Sequence, residues 1–282
     1  MYATREVSRP IRFAPTAQQV LSTHRHIARG AAVKVGGIKH VLMWTGVTLL
    51  VLFAGSLVAF VASYPAVAAT ACPQCYGFEE IGDRVFVGAD MPEERRERLR
   101  SDLAIARQAV ANALEPTGAR PFVFACSTNA CDRKIGGRGD EGARAEVQST
   151  PFYSVIRFGP RGLDRTLLTH ELAHITMHEI VGAFAVIDGR FPAWLNEGVA
   201  VIVSNDERYL NPGRSAAERC SAEPKGPLPA SPFEWGPAAG RDHTIYAQAA
   251  CATLRWLEAN GGVPGLLDRL RNTAKTGEAV VE

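Results

Sequence analysis

A stretch of 23 residues without a charged side chain, residues 41–63, constrains the fold of this chain most. As a helix it would span roughly 35 Å at about 1.5 Å per residue, which is enough to cross the hydrocarbon of a bilayer. The core helices of water-soluble domains seldom contain so long an uncharged run. We therefore predict one transmembrane helix over residues 41–64.

The sequence around this stretch leaves two interpretations open. The small residues at positions 66–69 would suit the cleavage site of a signal peptide. However, the apolar run exceeds the roughly 7–15 residues of a signal-peptide core, and the segment before it is long. We favour an uncleaved signal anchor over a cleaved signal peptide.

Positive charge is concentrated before the apolar stretch. Residues 1–40 contain a single acidic residue and seven basic ones, which are Arg5, Arg9, Arg12, Arg25, Arg29, Lys34 and Lys39. Because Lys and Arg beside a span stay on the cytoplasmic side, we predict that residues 1–40 form a cytoplasmic tail in an inner or plasma membrane. Residues 65–282 then lie in the periplasm or outside the cell. The formal net charge of the whole chain is only +2, which does not indicate nucleic-acid binding.

All six cysteines follow the apolar stretch, which suits disulfide formation in an oxidising compartment. We favour the pairs Cys126–Cys131, Cys220–Cys251 and Cys72–Cys75. The Cys-Pro-Gln-Cys segment could instead be half of a metal site or a redox pair. A metal site would require a second such pair, which the sequence does not contain, and a redox pair would be expected to open a helix.

The remaining sequence predicts a mixed α+β domain over residues 85–282, with strands and one helix first and a helical half afterwards. Residues 65–84 are interpreted as a linker, and residues 131–144 and 206–242 as loops. The predicted strands are 85–87, 121–126 and 152–158. The predicted helices are 90–114, capped by Asp90, then 163–181, 192–204, 243–260 and 264–271.

The segment His170-Glu171-Leu172-Ala173-His174 lies inside one of these predicted helices. Two histidines four positions apart share one face of a helix, so both rings can reach one metal ion. Glu171 lies beside them and can accept a proton from water that the metal activates, without itself being a ligand.

Catalytic zinc normally has three protein ligands and one open position. Ile180 stands where the extended metzincin motif requires a histidine, which excludes that class. Glu197 follows His174 by 23 positions on the next predicted helix. We therefore predict one Zn²⁺ ion per chain, bound by His170, His174 and Glu197. His178 would close the site as a fourth ligand, so we interpret it as lying outside the ligand set.

Together, His-Glu-Leu-Ala-His and the later Pro-Ala-Trp-Leu-Asn-Glu-Gly-Val-Ala resemble the gluzincin branch of zinc peptidases, specifically the peptidase-MA-like domain. The segment that begins at Tyr246 is also similar, and the resemblance covers roughly residues 120–272. It implies a zincin fold, with a small twisted sheet packed on the active-site helix and the zinc below a substrate cleft. It also implies an oxyanion-stabilising proton donor, a role that we carry by position to Tyr246. His243 is the alternative donor, and a purely structural core role is the alternative for Tyr246.

The sequence departs from the thermolysin-like pattern at two points. An acid that orients a zinc histidine is replaced by Val201, so that partner must come from elsewhere. A backbone carbonyl, Asp206 and Glu207 are the candidates. A Gly-x-Met-Glu-Asn segment for binding a free amine is also missing, so aminopeptidase activity has no support.

These features predict a membrane-anchored zinc endopeptidase that hydrolyses peptide bonds outside the cytoplasm. Glu171 is the predicted general base on zinc-bound water. The predicted partners are a peptide or protein substrate and the membrane, through residues 41–64. Two alternatives remain open: a non-catalytic zincin-like binding module of the cell envelope, and a thiol oxidoreductase built on Cys72 and Cys75.

Overall fold

The structure is a computed structural model that describes residues 35–281. Most of the predicted cytoplasmic tail, residues 1–34, therefore lies outside the described residues. The chain divides into one unit that ends at Ser56 and a second unit, Leu57–Glu282.

Helix α1 spans Val35–Ser63 and contains the predicted membrane-crossing stretch. Its segment Leu42–Ser63 has a mean hydropathy of 2.2, and it is the one helix of the described residues long and apolar enough to cross a membrane. Large apolar side chains along it are exposed, including Phe53 at 68%. Such a helix suits a lipid environment better than the core of a domain.

The sheet of the second unit contains β1 (Phe78–Gly82), β2 (Val85–Gly88), β3 (Phe122–Ala125), β4 (Ala145–Ser149) and β5 (Ser154–Phe158). The spatial order is β1-β2-β3-β5-β4. The central strands β2, β3 and β5 are parallel, whereas β1 and β4 pair antiparallel at the two edges. The predicted mixed α+β class is confirmed.

Ten helices follow α1 within the described residues: α2 (Pro65–Ala69), α3 (Glu93–Ala113), α4 (Asn129–Lys134), α5 (Arg165–Val181), α6 (Ala183–Ile187), α7 (Ala193–Val203), α8 (Ala216–Arg219), α9 (Pro232–Arg241), α10 (Ile245–Ala259) and α11 (Gly262–Thr276). Two short 3₁₀ turns, Pro73–Tyr76 and Gly139–Glu141, complete the set. The helical second half agrees with the sequence prediction.

One face of the sheet packs on α3 and α5 and forms the largest core. Side chains alternate between the faces of a strand, so Val87 and Val123 point to this side. They belong to the same buried cluster as Leu103 of α3 and Leu168 of α5, and all four are at most 2% exposed. This core fixes α5, the helix that contains His170 and His174, beneath the sheet.

The opposite face of the sheet is covered by α2, in the segment that the sequence analysis interpreted as a linker. Ala66 and Ala69 of α2 are fully buried in one cluster with Phe78, Phe86 and Phe124. The interpretation of residues 65–84 as a linker is therefore wrong, because the aromatic face of the sheet requires this cover. The same segment also supplies β1.

Helix α7 approaches α10 very closely at Gly198. A Cβ atom at this position would lie 2.1 Å from Thr253 Oγ1 and 2.6 Å from the carbonyl oxygen of Ala249. Only a glycine permits this approach without movement of one helix. Gly198 follows Glu197 directly, so the close packing places α10 against the helix that contains Glu197.

The six cysteines form the three predicted disulfides, Cys72–Cys75, Cys126–Cys131 and Cys220–Cys251. Cys72–Cys75 lies at a 3₁₀ turn and not at the start of an α-helix. Cys220–Cys251 connects the segment before α9 to the middle of α10. This bond therefore restrains the long segment over residues 206–242.

Several local predictions differ from the structure. The N-cap of α3 is Pro92 and not Asp90, whose carboxylate accepts a hydrogen bond from Thr128 at 2.7 Å. The expected loop at 131–144 begins inside α4, which Thr128 caps. The expected loop at 206–242 contains α8 and α9. Strand β4 was not predicted, because it forms by pairing with β5.

Candidate metal centre

Three side chains from two helices converge beneath the sheet. Helix α5 begins at its N-cap Asp164, whose carboxylate accepts a hydrogen bond from the backbone N–H of Leu167, and it places His170 and His174 one turn apart. Helix α7 contributes Glu197. The three groups offer ligand atoms within 4.8 Å of one another, so they could hold one metal ion.

The spacing of the three donor atoms fits a small cation. Nε2 of His170 lies 3.1 Å from Nε2 of His174, and Oε2 of Glu197 lies 3.3 Å and 3.6 Å from these two nitrogens. In a tetrahedral zinc site with bonds of about 2.0–2.1 Å, neighbouring donor atoms lie about 3.3–3.4 Å apart. The observed separations bracket that value. Two imidazoles and a carboxylate are also a donor set that suits zinc.

The charges at the centre call for a cation. Burial alone would raise the pKa of Glu197, but His174 and His170 outweigh it and hold the pKa of this carboxyl far below its usual range. Burial likewise lowers the pKa of His174, yet the Glu197 carboxylate outweighs it and raises that pKa to about 9. A buried carboxylate requires a positive partner, which can be a proton on the histidine or a metal ion.

Asn196 links the metal centre to the sheet through a chain of hydrogen bonds. Its Oδ1 lies 2.9 Å from Nδ1 of His174, and its Nδ2 lies 3.2 Å from Nε2 of His178. Nδ1 of His178 lies 2.9 Å from Oγ of Ser149, the last residue of β4, and Ser154 donates to Ser149. The tautomers that fit leave Nε2 of His174 free to bind a metal.

His178 is a member of this chain and not of the ligand group. Burial and the nearby His174 lower the pKa of His178 to about 3, so the ring is neutral. A neutral ring can accept from Asn196 at one nitrogen and donate to Ser149 at the other. His178 is therefore not a member of the group of potential metal ligands, which contains His170, His174 and Glu197.

The partner of the ligand histidine is a residue that the sequence analysis did not single out. Asp206 is buried but pairs with Arg208 at 2.5 Å, and Glu207 is exposed, so neither takes this role. The sequence offered a signal for this role, because Asn196 directly precedes Glu197 in the segment Pro-Ala-Trp-Leu-Asn-Glu-Gly-Val-Ala. Nδ1 of His170, in contrast, is buried and has no hydrogen-bond partner among the described residues.

Glu171 lies buried beside the ligand atoms, with 7% of its surface exposed. Burial raises the pKa of its carboxyl, and the electrostatic effect of the neighbouring His170 and His174 partly opposes this rise. Its carboxyl thus interacts electrostatically with all three potential metal ligands, His170, His174 and Glu197. This is the environment that tunes a carboxylate towards general-base work.

Tyr246, at the start of α10, faces the same cluster. Burial and the charges of Glu197 and Glu171 raise the pKa of its phenol far above the usual range, so the hydroxyl remains a hydrogen-bond donor. The ring is held between Tyr209, stacked at 5.1 Å, and Trp235, edge-on at 5.3 Å. His243, the alternative donor, is exposed to solvent.

Tyr209 is a further residue that the sequence analysis missed. Burial raises the pKa of its phenol, and the charge of Glu197 contributes to the rise. It lies in the segment interpreted as a surface loop, so local sequence gave no signal for it. Its backbone carbonyl accepts a hydrogen bond from Ser221, next to the disulfide-bonded Cys220.

A second group of potential metal ligands, Cys220, Glu223 and Cys251, does not form a comparable centre. Its two cysteines are joined in a disulfide, and Glu223 pairs with Arg255. No thiolate is therefore available for a metal.

Comparisons of the chain with family models, with curated proteins and with solved structures found no match. The function proposed below therefore depends on the geometry of the site and on the sequence motifs.

Proposed function

We propose that the chain is a gluzincin-type zinc endopeptidase with a zincin-like fold, anchored in a membrane by α1. The observation that carries this proposal is the convergence of His170, His174 and Glu197, with Glu171 buried next to them. A protein that only bound zinc would have no chemical need for a base at position 171.

The proposed reaction is the hydrolysis of a peptide bond by water. A bound zinc ion would polarise the scissile carbonyl and make the water more acidic. Glu171 accepts the proton of the attacking water and delivers it to the nitrogen of the leaving amine. The hydroxyl of Tyr246 donates a hydrogen bond to the carbonyl oxygen as negative charge develops on it.

Strand β4 offers a site for an extended substrate. It is an edge strand, paired only with β5 among the described strands, and it packs beside α5. An extended peptide can add to such an edge by main-chain hydrogen bonds. The charge of Glu146 on β4 contributes to the raised pKa of Glu171, which indicates that this strand lies near the base.

The proposed location of the domain is outside the cytoplasm. The basic residues before the apolar stretch favour a cytoplasmic N-terminus, and the three disulfides after it favour an oxidising compartment. Both arguments favour a location of residues 65–282 outside the cytoplasm.

The decisive experiment compares the full chain with Glu171→Gln on an unfolded protein substrate, with and without a chelator. The substitution keeps the size of the side chain and removes its basicity. Zinc content should survive and hydrolysis should fall by about 10²–10⁴-fold. Loss of zinc without loss of cleavage, or a Glu171→Gln variant that cleaves as fast as the parent, would contradict the proposal and favour a binding module.

A further inference from the structure

The tip of the β4–β5 hairpin presents the most exposed large apolar side chain of the described residues. Phe152 is 91% exposed. The tip is held in a defined turn, because Thr150 Oγ1 accepts hydrogen bonds from the backbone N–H groups of Phe152, at 3.2 Å, and Tyr153, at 3.0 Å. Phe152 is thus fixed in an outward position.

Tyr153 connects this tip to the chain just after the apolar helix. Its hydroxyl lies 3.3 Å from Oγ1 of Thr70. Backbone hydrogen bonds from Tyr64 to Phe60 and from Ala68 to Tyr64 join the end of α1 to α2, although Tyr64 itself is not helical. Seven residues of mostly helical chain separate Thr70 from Ser63, so Thr70 lies within roughly 10 Å of the end of α1.

This distance can be compared with the dimensions of a bilayer. Each polar headgroup layer is roughly 5–8 Å thick, and aromatic residues such as Tyr64, which is 50% exposed, are typical of its boundary with the hydrocarbon. Thr70 and its partner Tyr153 must then lie close to the headgroups. The exposed ring of Phe152, next to Tyr153, is within reach of the same layer.

A basic turn lies equally close to the end of the apolar helix. A Cβ atom at Gly136 would lie 2.9 Å from Cγ of Pro65, two residues after Ser63. The neighbouring side chains Arg133, Lys134 and Arg138 are exposed and have no ion pair among the described residues. Free basic groups beside a membrane surface are attracted to anionic lipids.

We propose that Phe152 and the basic turn of residues 133–138 dock on the surface of the bilayer that contains α1. Phe152 enters the interface, and the basic side chains contact anionic headgroups. Since β4 ends three residues before Phe152, docking holds this edge strand close to the membrane. If the proposed peptidase function is correct, its substrate is a polypeptide segment at the membrane surface.

Photo-crosslinking in nanodiscs tests the lipid contact directly. The full chain is reconstituted with p-benzoylphenylalanine at position 152, or at the control position 233, where Phe233 is also exposed, at 74%. We expect lipid adducts by mass spectrometry at position 152 and at least fivefold fewer at position 233. Equal adduct yields at both positions, or a protein adduct at position 152, would overturn the proposal.

The basic turn is tested in the same system by a change of lipid. Addition of phosphatidylglycerol to phosphatidylcholine nanodiscs should raise the adduct yield at position 152 severalfold, and Arg133→Glu with Lys134→Glu should abolish this rise. If neither phosphatidylglycerol nor the double substitution changes the adduct yield, the basic turn does not contact the bilayer and this part of the proposal is wrong. Neither readout requires zinc or activity, so failure of the docking proposal is distinguishable from failure of the proposed function.

Discussion

Nδ1 of His174 lies 2.9 Å from Oδ1 of Asn196, so a residue of α7 orients one of the two histidines of the candidate metal centre. The next residue, Glu197, belongs to the ligand group itself. Helix α7 thus contributes two adjacent side chains to the site. Glu197 is a potential metal ligand, and Asn196 contacts the ring of His174. In the proposed zinc site, a neutral amide would replace the acid that orients a zinc histidine in thermolysin-like enzymes.

We predict that Asn196→Ala weakens zinc binding by about 10–100-fold, the usual cost of losing a partner that orients a ligand. The ring of His174 would lose the acceptor for its Nδ1–H group. Affinity can be measured by competition with a chromophoric chelator, and Co²⁺ in place of zinc would report a changed visible spectrum. Asn211→Ala, at an exposed position, is the matched control. Unchanged affinity and spectrum in Asn196→Ala would show that Asn196 does not orient the ligand.

We predict that Tyr246→Phe leaves the zinc content intact and lowers the rate of hydrolysis by about 10²–10³-fold, because the phenol would no longer stabilise the developing oxyanion. The matched control is Tyr209→Phe, which keeps the stacked ring at 5.1 Å. A single-turnover assay on both variants separates the two hydroxyl groups. Full activity in Tyr246→Phe would show that its hydroxyl does not stabilise the oxyanion. Tyr209→Phe and His243→Ala would then test the two other candidate donors.

The convergence of the three potential metal ligands was predictable from sequence because it depends on local periodicity. His170 and His174 are one turn apart in any helix, and Glu197 lies in a motif that is itself helical. The contacts around the group depend instead on how distant elements meet. Asn196 reaches His174 only because α7 packs against α5. Tyr209 stacks on Tyr246 from a segment that a disulfide restrains.

The fold shows the same division between local and distant determinants. Helix α3 was predicted because Leu99, Leu103, Ala106 and Val110 recur at helical spacing and are buried. The edge strand β4 has no strong local pattern and exists through its pairing with β5. The sequence of the small helix α2 resembles a linker, because its alanines show no pattern of their own. They are buried only because α2 packs on the aromatic side chains of the sheet.

We predict that Gly198→Ala destabilises the domain by about 1–3 kcal/mol, the usual cost of overpacking. The added methyl group would collide with Thr253 Oγ1 and with the carbonyl oxygen of Ala249. Thermal or urea unfolding measures the change, and Gly236→Ala, where a Cβ atom would meet nothing within 4 Å, is the control in another helix. The double variant with Thr253→Ala should recover only part of the loss, since the backbone oxygen remains. An unaffected Gly198→Ala variant would contradict the close approach of α7 and α10.

We predict that loss of the Cys220–Cys251 disulfide affects both stability and catalysis. The bond closes a loop with a sequence separation of 31, and such a loop is worth roughly 3–4 kcal/mol in the chain-entropy estimate. Cys220 also lies in a short antiparallel bridge with Leu210, the residue after Tyr209. Cys220→Ser with Cys251→Ala should therefore lower the midpoint of urea unfolding and also loosen the stack on Tyr246.

Cys72→Ser with Cys75→Ser, which opens a loop with a separation of only 3, should cost much less stability. Because the proposed zinc ligands lie on α5 and α7, zinc content should survive while hydrolysis falls in the first variant. Equal effects of the two double substitutions would contradict the role assigned to the Cys220–Cys251 bond.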